Sequence, residues 1–215
     1  IFHFPDNPAM DNANFGTHVL MNTQSGLGYE RYALLRFLDI FGAGPGQVPL
    51  GSTIASATLT VDSTQAGLLA IELPVTVHRV LHAWDDATLT YSNFGTNPGA
   101  QIGEDYESAS LGTLMLGAND VRSVDLTAAL QLLSDGAQDF GWLFRLVPPD
   151  PPSSTVRSFF SSEVDARTGV APRLSIEFGP PRQTPEPAAW ALAASAGLPL
   201  SATNAMVGVP VFRLV

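Results

Sequence analysis

The chain has 215 residues, 45% of them hydrophobic and only 14% charged, enough apolar material to fill one large all-β core or a core domain with an appendage. A formal net charge of -10, with a sequence pI near 4.6, makes it a poor partner for a phosphate backbone and sets nucleic-acid binding aside. Cysteine is absent and all ten basic residues are arginine, so disulfides, thiol nucleophiles, Cys-ligated metals, Schiff bases and Lys–Asn cross-links are excluded.

In chain order, the stretch from His3 to Asn14 is dense in Asp, Asn and Pro, which reads as consecutive turns before a strand at about Thr17–Asn22. Its side chains Asp6, Asp11 and Asn12 are candidate oxygen ligands for Ca²⁺. Asx-turn chemistry alone is the competing reading, because no Asp-x-Asp-x-Asp-Gly spacing is present. Tyr32-Ala-Leu-Leu-Arg-Phe-Leu-Asp39 is nearly apolar at every position, the pattern of a central strand covered on both faces. Arg36 interrupts it and is expected to pair with an acidic residue.

A Gly/Pro loop leads to Ile54 through Asp62, where Ala57, Leu59 and Val61 alternate with Thr58, Thr60 and Asp62 as in a half-buried strand. Another strand is expected from Leu73 to Leu81. It carries His78 into a neighbourhood with His82, but four residues of strand separate them by roughly 13 Å, too far to chelate one ion. Ala83 to Asn93 reads as a corner followed by a short strand, with Trp84 read as a core plug ahead of a sugar platform. The adjacent Asp85 and Asp86 point to opposite sides of a strand and cannot flank a glycosidic bond.

Residues 98–117 read as a polar loop, followed by a strand end at Val121 to Leu126. Asp125 or Thr127 then caps a two-turn helix whose face is Leu126, Leu130 and Leu133 and whose stop is Gly136. Strands follow at Phe140–Leu146, Val156–Ser161 and Pro172–Phe178. The pattern predicts an all-β, antiparallel, jelly-roll-like β-sandwich over residues 1–178, with one short helix.

Beyond it lie a Pro-rich linker over 179–187 and an apolar tail over 188–215, read as a short helix through Ala196 and then a strand. A dozen apolar residues are too few to span a bilayer, which takes roughly 20. The terminal strand carries Met206, Val207, Val209, Val211, Phe212, Leu214 and Val215 and is uncharged apart from Arg213. An opening at Ile1 instead of Met is what removal of a signal peptide leaves, although a start drawn inside a longer chain looks the same; the first reading points to secretion.

The assembled pieces resemble the DNRLRE domain, a secreted β-sandwich family that overlaps a class of carbohydrate-binding modules. They are Asn14-Phe-Gly16, Tyr32-Ala-Leu-Leu-Arg-Phe37, Ile54-Ala-Ser-Ala-Thr-Leu59, Val77-His-Arg-Val80 with Trp84-Asp-Asp86 and Leu89-Thr-Tyr91, Val124-Asp-Leu-Thr127, Phe140-Gly-Trp-Leu143, and Ser161-Ser-Glu163 with Pro172-Arg-Leu-Ser-Ile-Glu177. They fall in family order across about residues 3 to 178. Tyr91 stands where the family often has Trp. Thr184-Pro-Glu-Pro-Ala-Ala-Trp-Ala-Leu192 resembles a PEP-type C-terminal sorting segment, although Pro199 and Asn204 interrupt its apolar run.

Two functions are expected from this reading. The first is a secreted structural subunit, without enzymatic activity, that polymerises into an extracellular filament or matrix by adding its C-terminal strand to a neighbour. The second, implied by the resemblance, is a polysaccharide-binding module using exposed Trp84, Tyr91, Phe94 and Tyr106. No Gly-x-Ser-x-Gly, His-Glu-x-x-His or phosphate-binding glycine loop points to catalysis.

Overall fold

A computed structural model of the chain describes residues 1–64, 71–117, 119–147, 155–165 and 169–181. The helix and strand expected in the tail, with Met206 to Val215, lie outside these residues. In chain order the strands are β1 (Phe2–His3), β2 (Leu20–Gly26), β3 (Tyr29–Arg31), β4 (Ala33–Leu35), β5 (Ser52–Thr64), β6 (Leu73–Arg79), β7 (Gly112–Leu116), β8 (Asp120–Asp125), β9 (Trp142–Leu146), β10 (Thr155–Phe160) and β11 (Arg173–Pro181). One 3-10 turn, Pro8–Asn12, and one α-helix, α1 (Thr127–Ser134), complete the described elements.

The strands form two antiparallel sheets facing each other, the all-β sandwich that the alternating pattern requires. The first runs β1-β3-β2-β10-β5-β11, with β8 on β5 as well; the second runs β4-β9-β6-β7. Thr58, Leu59 and Thr60 pair with both β11 and β8, so those strands flank β5 on opposite edges. β5 is therefore the central strand. Its alternation does what period two demands: Ala57, Leu59 and Val61 are buried while Thr58 and Thr60 face outward half-exposed.

The inner faces supply one continuous core. Leu59, Leu174 and Phe159 from the first sheet meet Val77, Leu116 and Phe144 from the second, and the Phe144 and Phe159 rings lie 5.0 Å apart. Each such side chain contributes about 1.5–3 kcal/mol by leaving water. α1 closes one end. Leu126, Leu130 and Leu133 are buried, Asp125 Oδ1 accepts the Thr127 N–H at 2.8 Å, and Gly136, at φ +103°, terminates the helix.

Five expectations are corrected. Tyr32 to Asp39 is not the central strand: only Ala33–Leu35 is a strand, and it lies at the edge of the second sheet. It is buried on both faces because a loop, not a sheet, covers its outer side. The first long strand starts at Leu20, three residues later than expected, and pairs with β3 through a turn at Leu27 and Gly28. Leu89 to Asn93 is turn, not strand, and the expected loop over 98–117 contains β7. Among the described residues no carboxylate lies within ion-pair distance of Arg36; its guanidinium lies 5.3 Å from the centre of the Trp84 ring, with Asp139 near enough to sense its charge.

Candidate functional site: two recesses divided by Trp84

The loop that buries β4 leaves the second sheet after β6 and returns before β7. Its base is closed by the Val80–Tyr106 bridge, by Leu81 N–H donating to the Asp105 carbonyl and by Glu107 N–H donating to Arg79. From it, Val80, Phe94, Ala100 and Tyr106 pack on Leu34 and Leu143, a second small core on the outside of the sheet. A long excursion of this kind stays ordered only if its own polar groups are engaged internally.

Asp105 does most of that work. It is 3% exposed, its Oδ2 accepts the Gln101 N–H at 2.7 Å, and its Oδ1 lies 2.9 Å from His82 Nε2. Gly95, at φ +77°, approaches so closely that a Cβ there would sit 2.0 Å from Asp105 Oδ1. Asp85 turns the corner by accepting the Ala87 N–H, and Asn93 bridges Thr90 and Thr88. Asn14 reaches from the N-terminal stretch to donate to the carbonyls of Asp86 and Leu89, at 2.7 and 2.8 Å.

Trp84 stands in the middle, half-buried, its Nε1 donating to the Phe140 carbonyl at 2.7 Å. It lines two recesses. On one side is an apolar cleft at the open corner between β2 and β4, walled by Phe2, Phe15, Leu20, Met21 and Leu34, with a cavity volume of about 80 Å³. That is about half of the roughly 150 Å³ that accepts a benzene ring, so it takes an aliphatic side chain but not a sugar ring. On the other side is an open groove of about 540 Å³, bordered by His82, Asp85, Asn93, Thr96, Glu104 and Asp105.

The floor of the cleft is the outer edge of β4. β4 pairs with β9 only, and Tyr32 turns its N–H and C=O the other way, to Ile1. Backbone direction alternates along a strand, so Leu34 turns its N–H and C=O away from β9 as well, and no partner for them is found among the described residues. Leu34 is 8% exposed.

The surroundings are acidic. Asp86, at the rim of the cleft, has its carboxyl pushed up from the ordinary range by burial and then by the charges of Glu163 and Asp85. In the groove Asp85 and Asp105 are held by their own loop. The Glu104 carboxylate is exposed and has no hydrogen bond or ion pair among the described residues.

The residues expected to form an exposed aromatic row do not form one. Phe94 and Tyr106 are 1% and 2% exposed, anchors of the second core. Tyr91 stacks on His3 at 4.8 Å and donates to Glu30 at 3.1 Å, and burial and Glu30 push its phenol up to about 12. Of the four, Trp84 and Phe94 line the groove, Phe94 from within the second core. The candidate Ca²⁺ ligands are engaged elsewhere: Asp6 accepts from the Tyr29 hydroxyl at 2.5 Å and Asp11 meets His3 Nδ1 at 2.9 Å, while Asn12 is exposed. Among the described residues no three His, Asp or Glu side chains are grouped to hold a metal, and no helix is long and apolar enough to cross a membrane.

Sequence reasoning missed Glu104, Asp105 and Gly95. Only the loop's Gly103-Glu-Asp105 run hinted at them. No family model matches the chain and no curated protein matches it, so the resemblance to the DNRLRE domain stands on the quoted residues themselves.

Proposed function

We propose that this chain is a secreted, non-catalytic structural subunit that joins its neighbours into an extracellular filament or matrix by strand addition, the apolar tail of one copy completing the open corner of the next. The observation that carries this reading is the apolar cleft between β2 and β4, walled by Phe2, Phe15, Leu20, Met21 and Leu34, with the edge strand β4 at its floor. A contact in which one surface of a subunit receives a different segment of another is heterologous and does not close on itself, so it propagates. Main-chain bonds along such an edge supply affinity, and pockets for alternate side chains supply register.

The test compares the full chain with one ended at Pro181, which keeps every described strand. Light scattering and negative-stain microscopy should show mass growing with concentration for the full chain and a fixed monomer mass for the shortened one. A full chain that stays monomeric over the whole concentration range refutes the reading.

A second reading, binding of a neutral polysaccharide, is favoured by the groove itself, whose volume lies in the range of ligand sites and which offers one aromatic wall and several oxygen acceptors. Retention of the shortened chain in polysaccharide-containing gels, lost on Trp84→Ala, supports it; unretarded migration rejects it.

A further inference from the structure

We infer that the open groove beside Trp84 selects sugars that carry a free amine, an amino-sugar polymer in place of its neutral N-acetylated form. This rests on the polysaccharide reading of the groove and adds to it the substituent that the walls recognise. The first observation is a shortage of hydrogen-bond donors. His82 engages both ring nitrogens, Nε2 with Asp105 at 2.9 Å and Nδ1 with the Ala83 carbonyl at 3.2 Å. Trp84 Nε1 donates to the Phe140 carbonyl and Asn93 Nδ2 to the Thr88 carbonyl, at 2.7 and 2.8 Å. The Thr88 hydroxyl leans on Asp85 at 3.4 Å. Among the described residues that line the groove, Thr96 is the one side chain with a donor still free.

Acceptors are in surplus. Glu104 lines the groove, is exposed, and neither of its carboxylate oxygens has a partner among the described residues. Asp85 adds a second carboxylate, whose Oδ2 meets only the distant Thr88 hydroxyl. Among the described residues no arginine lines the groove: Arg36 lies 5.3 Å from the centre of the indole yet forms no part of the groove wall.

Walls of this kind sort sugar substituents by the hydrogens they bring. An ammonium has three donors and no acceptor, whereas an N-acetyl group adds a carbonyl and a uronate adds a carboxylate, with almost no side-chain donor here to meet either. The bond from an ammonium to Glu104 is charge-assisted. The indole supplies an apolar wall for the sugar ring, and its face attracts a cation as well. At longer range the net charge of -10 draws a polycation in and repels uronates.

Calorimetric titration of the full chain with chitosan oligosaccharides and with their fully N-acetylated counterparts tests this, at about pH 5.5, where carboxylates are ionised and amines protonated. The amine form should bind about tenfold more tightly, and added salt should shrink that ratio. Glu104→Gln should bring the two forms within about twofold of each other without weakening the acetylated one. Its melting temperature should match the parent, because Glu104 is exposed. A hexalysine peptide measures attraction by charge alone and should bind more weakly than the amine oligosaccharide. If both sugar forms bind equally and both are lost on Trp84→Ala, or if Glu104→Gln keeps the full ratio, this inference is overturned while polysaccharide binding stands. Hexalysine binding as tightly as the oligosaccharide overturns it too, since the groove then selects charge and not sugar. If neither sugar form binds, the polysaccharide reading fails and this inference with it.

Discussion

The contact between Phe144 and Phe159 joins the two sheets across the core, and its loss can be worked out in advance. Both rings are 0% exposed and their centres are 5.0 Å apart, tilted by 56°. Phe→Leu at either position keeps an apolar side chain but opens part of a cavity, costing about 1.5 kcal/mol. An aromatic pair contributes about 0.5–1.5 kcal/mol beyond its buried area, and that part is lost only once when both rings are replaced. The double variant should therefore be less destabilised than the sum of the singles by about 1 kcal/mol. Urea unfolding followed by Trp fluorescence measures it: with a slope of about 2.5 kcal/mol/M, each single variant shifts the midpoint by about 0.6 M. Phe94 lies in the other core, on the far side of the second sheet, so Phe94→Leu with Phe144→Leu should be additive. A coupling below about 0.3 kcal/mol for the Phe144 and Phe159 pair, no larger than that control, refutes the sheet packing described above.

Gly95→Ala should destabilise the fold by about 2 kcal/mol or more, because it sets a methyl against the buried Asp105 carboxylate and forces a side chain to φ +77°; a melting temperature unchanged from the parent would contradict the role given to Asp105. His78 should make the fold acid-sensitive. Burial, then the charge of Arg145, lower its proton affinity below the ordinary 6.5, against hydrogen bonds to the carbonyls of Glu107 and Ala109. The unfolded chain thus takes up this proton first. Stability is full above about pH 6.5 and falls as pH drops below it toward the folded value. His78→Gln, which can still bond Glu107 and Thr76, should flatten the melting temperature between pH 7.5 and about 5.5; an unchanged slope would rule His78 out as the cause.

The parts of the fold that could be read in advance are those whose burial follows strand or helix periodicity. β5, β9, β11 and α1 bury the residues that their periods select. β4 misled because its outer face is covered by residues 80–107, and a pattern of apolar residues records burial without recording what does the burying. β7 was hidden because Gly112-Thr-Leu-Met-Leu116 follows a long polar run, and only Leu114 and Leu116 reveal its inner face. At the site, Trp84 was legible as a landmark. Phe94 and Tyr106 looked exposed because their neighbours are polar, Asn93 and Gly95 for one and Asp105 and Glu107 for the other, whereas the bridge at Val80 and the Asp105 carboxylate draw the loop down and turn both rings inward. The edge position of β4 follows from strand order, which no local pattern encodes.

Amide hydrogen exchange at Leu34 is the most direct test of the acceptor edge. In the full chain at assembling concentrations the Leu34 N–H should exchange slowly, held by an incoming strand, and in the chain ended at Pro181 it should exchange far faster, while the Ala33 and Leu35 amides, which face β9, stay protected in both. Equal exchange at Leu34 with and without the tail would contradict the account.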